Sequence, residues 1–194
     1  MFDLLREGLT GLIPSRLRPA YMDQEQDPPD GSTWQYIAAR KQKNRETILQ
    51  KYSNWRLSAT GLLDVTPLLF AKLTPLEIGI VGRDATGLAE DLASRKLTAV
   101  QVLTAHCKVA VASQDYTNCL TEIFFEEGMK RAEELDEHMR TTGRPVGPLH
   151  GVPVSIKDHI LVKGHDTSSG YIAWAFKRPA EKDAVVVVSN DAHP

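Results

Sequence analysis

Ser155 and Lys157 stand two residues apart in the run Val152-Pro153-Val154-Ser155-Ile156-Lys157, which continues directly into Asp158 and His159. A strand alternates its side chains between two faces, so Val152, Val154 and Ile156 share one face while Ser155 and Lys157 share the other. A lysine beside a hydroxyl at the end of a short apolar strand becomes a base when desolvated, because burial disfavours the ammonium and lowers its pKa. A lysine on the polar side of a half-buried strand is otherwise solvated and inert. Spacing alone leaves both readings open. Asp158 projects away from Lys157 if the strand continues, so we read it as a structural hydrogen-bond acceptor rather than as the partner of the lysine. His150, Asp158, His159 and His165 belong to residue types that bind metals, but no pair of them has the spacing of a zinc site, and we expect no metal.

The longer stretch GPLHGVPVSIKDHILVKGHDTSSGYIAW, from Gly147 to Trp174, resembles the opening block of the amidase signature family. Its surroundings resemble the fungal acetamidase-type branch. The most specific part is GPLHGVPVSIKD followed by VKG, Thr167, Gly170 and Trp174, and weaker similarity runs from about Trp34 to about Val188. The resemblance implies a C–N hydrolase that converts a small-molecule carboxylic amide to a carboxylate plus ammonia or an amine, with no cofactor and no metal. It also implies a Ser-cisSer-Lys triad and carries the base onto Lys157. In the family the two serines come from a GGSSGG-type block, which these 194 residues do not contain. Ser168-Ser169-Gly170 imitates that block but lacks the flanking glycines that let backbone amides converge on an oxyanion. In the family this loop forms part of the substrate-site wall, so the resemblance makes Thr167 and Ser169 substrate-binding candidates, against a purely turn-forming role. The implied fold is α/β, the N-terminal part of the amidase-signature fold, a mixed sheet covered by helices. The alternative is a catalytically dead remnant acting as a binding or interaction protein, which the missing serine block favours for the chain as written. A subunit of transfer-RNA amidotransferases shares the lysine strand, but GPLHGVP and GYIAW look more like stand-alone amidases.

Several helices must position these residues. Ser32 or Thr33 caps a helix from Trp34 to about Tyr52 with a strongly polar middle, whose basic run Arg40, Lys41, Lys43 and Arg45 reads as a solvated face. Thr74-Pro75-Leu76-Glu77 combines an N-cap, a proline at N1 and a glutamate at N3, which mark a short helical turn. Asp84 caps a helix with Ala85, Leu88, Ala89 and Leu92 on one face. Thr98 and Gln101 form a capping box for the next helix, where Val100, Leu103, Cys107 and Val111 make the buried stripe and Cys107 is core rather than nucleophile. CLTEIFF, from Cys119, reads as a short buried strand. A further helix runs from about Glu126 to Thr142, lined by Ala132, Leu135 and Met139, with Arg140 in its last turn and Gly143 ending it. Helix, helix, strand, helix, strand is an α/β order.

The chain is 42% hydrophobic and 25% charged with a net charge of -2, enough apolar content for one core and no bulk attraction to nucleic acid or anionic membrane. Two cysteines make no disulfide framework, and nothing reads as a membrane span or signal peptide, so cytoplasm is the default compartment; homo-oligomerisation stays open. We divide the chain into a flexible tail (1–31), a peripheral helical segment (32–83), the N-terminal part of an amidase domain (84–188) and a divergent end (189–194). Four consecutive valines from Val185 are poor helix formers, and VVVVSNDAHP departs from the family pattern. We therefore expect a truncated product whose true continuation is lost near Val188.

Overall fold

The computed structural model describes residues 33–58, 61–177 and 179–187, and contacts group the chain into residues 1–40 and residues 41–194. The tail expected over 1–31 and the divergent end expected over 189–194 lie outside the described residues. Helices form at α1 (Trp34–Gln50), α2 (Thr66–Phe70), α3 (Pro75–Val81), α4 (Ala85–Ala93), α5 (Ala99–Thr117) and α6 (Phe125–Thr142), with single 3-10 turns at Ser53–Trp55 and Ile172–Trp174. In the first unit Trp34 and Tyr36 are exposed, and the Thr33 carbonyl accepts from the Ile37 amide at 3.1 Å.

Side chains satisfy amides that lack an intrahelical acceptor at the starts of α3, α4 and α5. At α3 the capping box is complete: the Glu77 amide donates to Thr74 Oγ1 at 3.3 Å and the Thr74 amide to Glu77 Oε2 at 2.8 Å. Asp84 Oδ1 accepts from the Gly87 amide at 2.7 Å at the start of α4. Thr98 and Gln101 repeat the box at α5, with 3.1 and 3.0 Å bonds. Its next two amides, Ala99 and Val100, donate to Asp136 Oδ1 and Oδ2 at 2.7 and 3.1 Å. Asp136 belongs to α6, so the positive end of α5 is neutralised by its neighbouring helix. Gly143, in the left-handed region at φ 73°, ends α6 as the sequence predicts.

These helices enclose one main core. Ala99, Val102 and Ala105 of α5 meet Ile80 of α3, Leu88 and Leu92 of α4, and Ala132 and Leu135 of α6. A second cluster joins Leu49 of α1, Val111 of α5 and Ile123, with Tyr52, Trp55 and Phe125 packed against it. The α1–α5 side is tied by Arg56, which bonds Glu46 and places Nη2 2.6 Å from Asp115 Oδ1, while Asp115 Oδ2 accepts from the Leu57 amide at 3.1 Å. The predicted α5 stripe is half right: Cys107 and Val111 are buried, but Val100 and Leu103 are half-buried and Ala99, Val102 and Ala105 take the centre. Because α5 is covered by α3 and α4 as well as α6, its buried surface is wider than one stripe and takes in small residues that a hydrophobic count passes over.

Both expected strands are absent among the described residues, which form only isolated bridges between Lys163 and Ala180 and between Asp166 and Pro179. The mixed sheet of the expected α/β class is therefore not formed here. CLTEIFF is irregular up to Phe124, Cys119 is exposed, and α6 already starts at Phe125. Residues 152–157 are likewise irregular, with Val154 exposed rather than sharing a buried face with Val152 and Ile156. β-Branched alternation marks a side-chain pattern, but a strand exists only against a partner. At the other end, residues 185–187 are helical and Val187 is buried, against the expectation that the valine run opposes a helix. Burial of one face overrides the modest propensity penalty of valine.

The motif reaches this helical core through two residues. Gly151 has φ 74°, and a Cβ there would lie 2.9 Å from the Ala99 Cβ and 3.2 Å from Leu92 Cδ2, so only glycine lets the chain approach the start of α5 this closely. His150 is buried, and its Nδ1 accepts from the Val146 amide at 3.2 Å, which holds the turn before Gly151 and requires Nδ1 to be unprotonated. Burial holds the His150 pKa below its ordinary value, His138 and Arg131 push it the same way, and Asp136 opposes them.

Gly151→Ala should destabilise the fold by roughly 2–4 kcal/mol, from left-handed strain plus overlap with Ala99. Gly164→Ala, with φ 83° but open space around the position, should lose only about 1–2 kcal/mol. Urea unfolding of both variants tests this, and equal losses would dismiss the close approach as the constraint. His150 adds a pH dependence. Since its folded pKa is depressed, its contribution is complete above about pH 6.5 and is lost as pH falls from there through the folded value. Urea midpoints measured from about pH 7 to about pH 5 should therefore fall more steeply in the wild type than in His150→Asn, whose amide oxygen keeps the Val146 bond without titrating; parallel slopes would contradict the assignment.

Candidate active site

From Gly151 the chain runs outward. Val152 still packs on the main core, whereas Val154, Ser155 and Lys157 are exposed. The amides of Val154, Ser155, Ile156 and Lys157 have no hydrogen-bond acceptor among the described residues. Lys157 is exposed, and its Nζ makes no hydrogen bond or ion pair among them either. The Lys157 carbonyl accepts from the Ile160 amide at 2.9 Å, which turns the chain immediately after the lysine.

Asp158 then performs the structural role expected of it. Its Oδ2 accepts from Ser168 Oγ at 2.8 Å and from the Gly170 amide at 3.3 Å. These bonds fold the following loop back on the residue next to Lys157, and they flank Ser169, with Thr167 one residue before them. Thr167 is half-buried; Ser169 is exposed and held at φ 50°. Ser168 is thus engaged with Asp158, while no hydrogen bond joins Lys157 to Thr167 or Ser169 among the described residues. The structure brings the loop to the lysine segment without forming a lysine–serine pair.

The far side of the loop is closed on residues 179–184. Gly164 donates to the Ala180 carbonyl, Ala180 to the His165 carbonyl and Ala184 to the Leu161 carbonyl, each at 2.9 Å, and the Lys163 amide donates to Asp183 Oδ1 at 2.7 Å. The three candidate histidines are scattered in role: His150 is buried in its turn, His159 is exposed, and His165 Nε2 lies 3.0 Å from Glu127 Oε2 with its ring 4.3 Å from that of Phe124.

One set of residues departs from its sequence reading. Lys41 and Arg45 belong to the basic run expected to form a solvated face, yet both are half-buried and engaged. Arg45 donates to the Leu120 carbonyl and to Asn118 Oδ1, each at 3.0 Å. Lys41 bonds Glu122 and lies 2.8 Å from Asp166 Oδ2. Burial alone would lower the Lys41 pKa, but hydrogen bonds and charge from Asp166 and Glu122 outweigh it and leave the value raised. The spacing 41, 45, 48 on one helix face, with Ile48 packed inward, is the signal that marks these cations as facing the protein. They line a cavity of about 300 Å³ together with Ile123, His165, Asp166 and Phe176. A second cavity, about 330 Å³, lies between Tyr52, Trp55, Phe125 and Met129, with Cys107 in its wall. Burial pushes the Cys107 thiol up to about 11, so it stays protonated and serves as core.

No helix among the described residues is long and apolar enough to cross a membrane. Residues 101–189 match the family described as Amidase. A Schizosaccharomyces pombe protein named as an amidase is 42% identical over 160 residues, covering 80% of this chain and 30% of its own length. The acetamidase of Emericella nidulans is 39% identical over 146 residues, covering 75% and 27%. Among solved structures, a fatty acid amide hydrolase superposes with a TM-score of 0.73 at 28% identity, covering 80% of this chain and 29% of that one. The chain thus spans about 30% of the length of the relatives it matches. With the lysine segment, its docking glycine and its stapled loop all inside the matched region, the chain belongs to the amidase family, on its fungal acetamidase-like side.

Proposed function

We propose that this chain carries the lysine-bearing part of an amide-hydrolysing domain, with Lys157 as the base and Thr167 and Ser169 lining the site of a small-molecule amide. The observation that carries the site is the Asp158 carboxylate, which ties the lysine segment to the loop holding Thr167 and Ser169. Similarity to the amidases supports the reaction. In that reaction neutral Lys157 takes a proton from a bridging serine, which takes one from a nucleophilic serine as its oxygen attacks the amide carbonyl carbon. The C–N bond breaks, the proton returns to the departing nitrogen, and ammonia or an amine leaves. Water then attacks the acyl-enzyme ester, releasing the carboxylate and restoring the serine hydroxyl. An ordinary lysine, with a pKa near 10.4, is neutral in only about one molecule in 2,500 at pH 7. The base role therefore depends on cover over residues 152–157 from polypeptide beyond the described residues, which must also bring the two serines.

The test is a chimera in which the matching stretch of the Emericella nidulans acetamidase is replaced by this chain. It should release ammonia from acetamide, and Lys157→Ala should lower kcat/KM by roughly 10²–10⁴. Lys157→Arg should fail equally, because guanidinium does not give up its proton at neutral pH. Substantial activity in the arginine variant would refute the role. A folded but inactive wild-type chimera would put the second reading, a binding or interaction protein, in its place. With no GGSSGG-type block in its 194 residues, the chain alone should hydrolyse acetamide no faster than buffer, and turnover that depends on Lys157 would direct the search for a nucleophile to Ser155 and Ser169.

A further inference from the structure

We propose that Lys41 is a positioning residue for the loop that carries Thr167 and Ser169. Two of its contacts fall on the two ends of that loop, since Nζ lies 2.8 Å from Asp166 Oδ2 and 4.6 Å from the centre of the Phe176 ring, and a third partner, Glu122, helps fix the ammonium. Asp166 Oδ2 in turn accepts from the Phe176 amide, so Lys41 and the Phe176 backbone share one carboxylate oxygen, and the ends of the segment 166–176 are pinned together beneath one ammonium. The carboxylate is well enclosed, its side chain 9% exposed, and that of Lys41 is 23% exposed. At such a site removal of the cation leaves a desolvated charge behind rather than a hydrated one.

The loop needs such an anchor. Within it Ser169 at φ 50° and Phe176 at φ 63° both hold the left-handed conformation that non-glycine residues avoid. Left-handed residues of this kind persist where surrounding contacts over-determine them. Asp158 supplies that at the Ser168–Gly170 end, and the Lys41–Asp166–Phe176 junction supplies it at the other. Thr167 follows Asp166 directly, so the wall residue inherits the position of the anchor. The link to substrate rests on the amide-hydrolase reading above; the anchoring does not.

Amide hydrogen exchange on the whole chain separates the two. In Lys41→Met, which keeps most of the length of the side chain without the charge, the Phe176 amide should exchange at least about tenfold faster, while the Ala105 amide in α5 stays within about threefold. Lys41→Arg should restore protection, since guanidinium reaches both carboxylates and stacks on the ring. Should the methionine variant fail to fold, Asp166→Asn, which keeps an acceptor for the Phe176 amide, should show the same local acceleration. Unchanged protection in the neutral variants, or an arginine variant as open as the methionine one, overturns the anchor. In the acetamidase chimera, Lys41→Met should raise KM about tenfold with kcat within about threefold, as loss of ground-state positioning does. Faster exchange with an unchanged KM would leave Lys41 as an anchor and overturn its part in placing substrate.

Discussion

The start of α5 is the constraint on which the rest of this structure depends. Four consecutive amides there, from Thr98 to Gln101, are each taken by a side chain, and two of them by Asp136 from a different helix. At Ala99, 1% exposed, an unpaired amide would cost about 1–3 kcal/mol. The Asp136 carboxylate therefore sets the height at which α6 lies along α5 as well as capping it. Ala99, the first residue of α5, is itself 1% exposed, because Gly151 comes down on it with no side chain between. Helix cap, helix pairing and motif docking thus share one small volume, and a change to any of them is transmitted to the others.

That docking produces a gradient of order along the motif. Val152 is held by the core, Ile156 is half-buried, and Val154, Ser155 and Lys157 face outward. Order returns beyond Lys157 through backbone bonds such as Ile160 to Lys157 and Gly164 to Ala180, and through two carboxylates, Asp158 and then Asp166. Both carboxylates act on backbone amides ahead of them in sequence, on Gly170 and Phe176 respectively. These are charge-assisted hydrogen bonds, which are stronger than neutral ones.

The helical half was legible in the sequence because its signals are local. Thr74 with Glu77, Asp84, Thr98 with Gln101, and Gly143 each act within four residues of themselves, and each stands at the helix end its type predicts. Ala132, Leu135 and Met139 repeat at helical spacing on α6 and are buried. The illegible part is long-range. Asp136 reaches α5 across 37 residues, and Lys41 meets Glu122 across 81, where sequence spacing carries no information. The strands failed for a related reason. CLTEIFF and VPVSIK have the composition of strands, but composition specifies only one half of a pairing. Asp158 was readable as an acceptor from its place beside Lys157; that its donors would be Ser168 and Gly170 was not.

The state of Lys157 and the state of its backbone are two aspects of one deficiency. The amides from Val154 to Lys157 lack acceptors among the described residues, and Lys157 is exposed. A strand laid beside this segment would satisfy the amides through ladder hydrogen bonds. Its side chains, standing on the same face as Ser155 and Lys157, would also exclude water from the ammonium. Desolvation of an uncompensated lysine shifts its pKa downward by up to about 3–5 units, enough to bring it from the ordinary lysine range to near neutrality. Pairing supplies the favourable term that offsets the dehydration, since several backbone hydrogen bonds form in the same step as one charge loses its water. If Lys157 is the base, as proposed, covering the segment and activating that base are one event. In this chain Gly151 and Asp158 hold the two ends of the segment at which that event would take place.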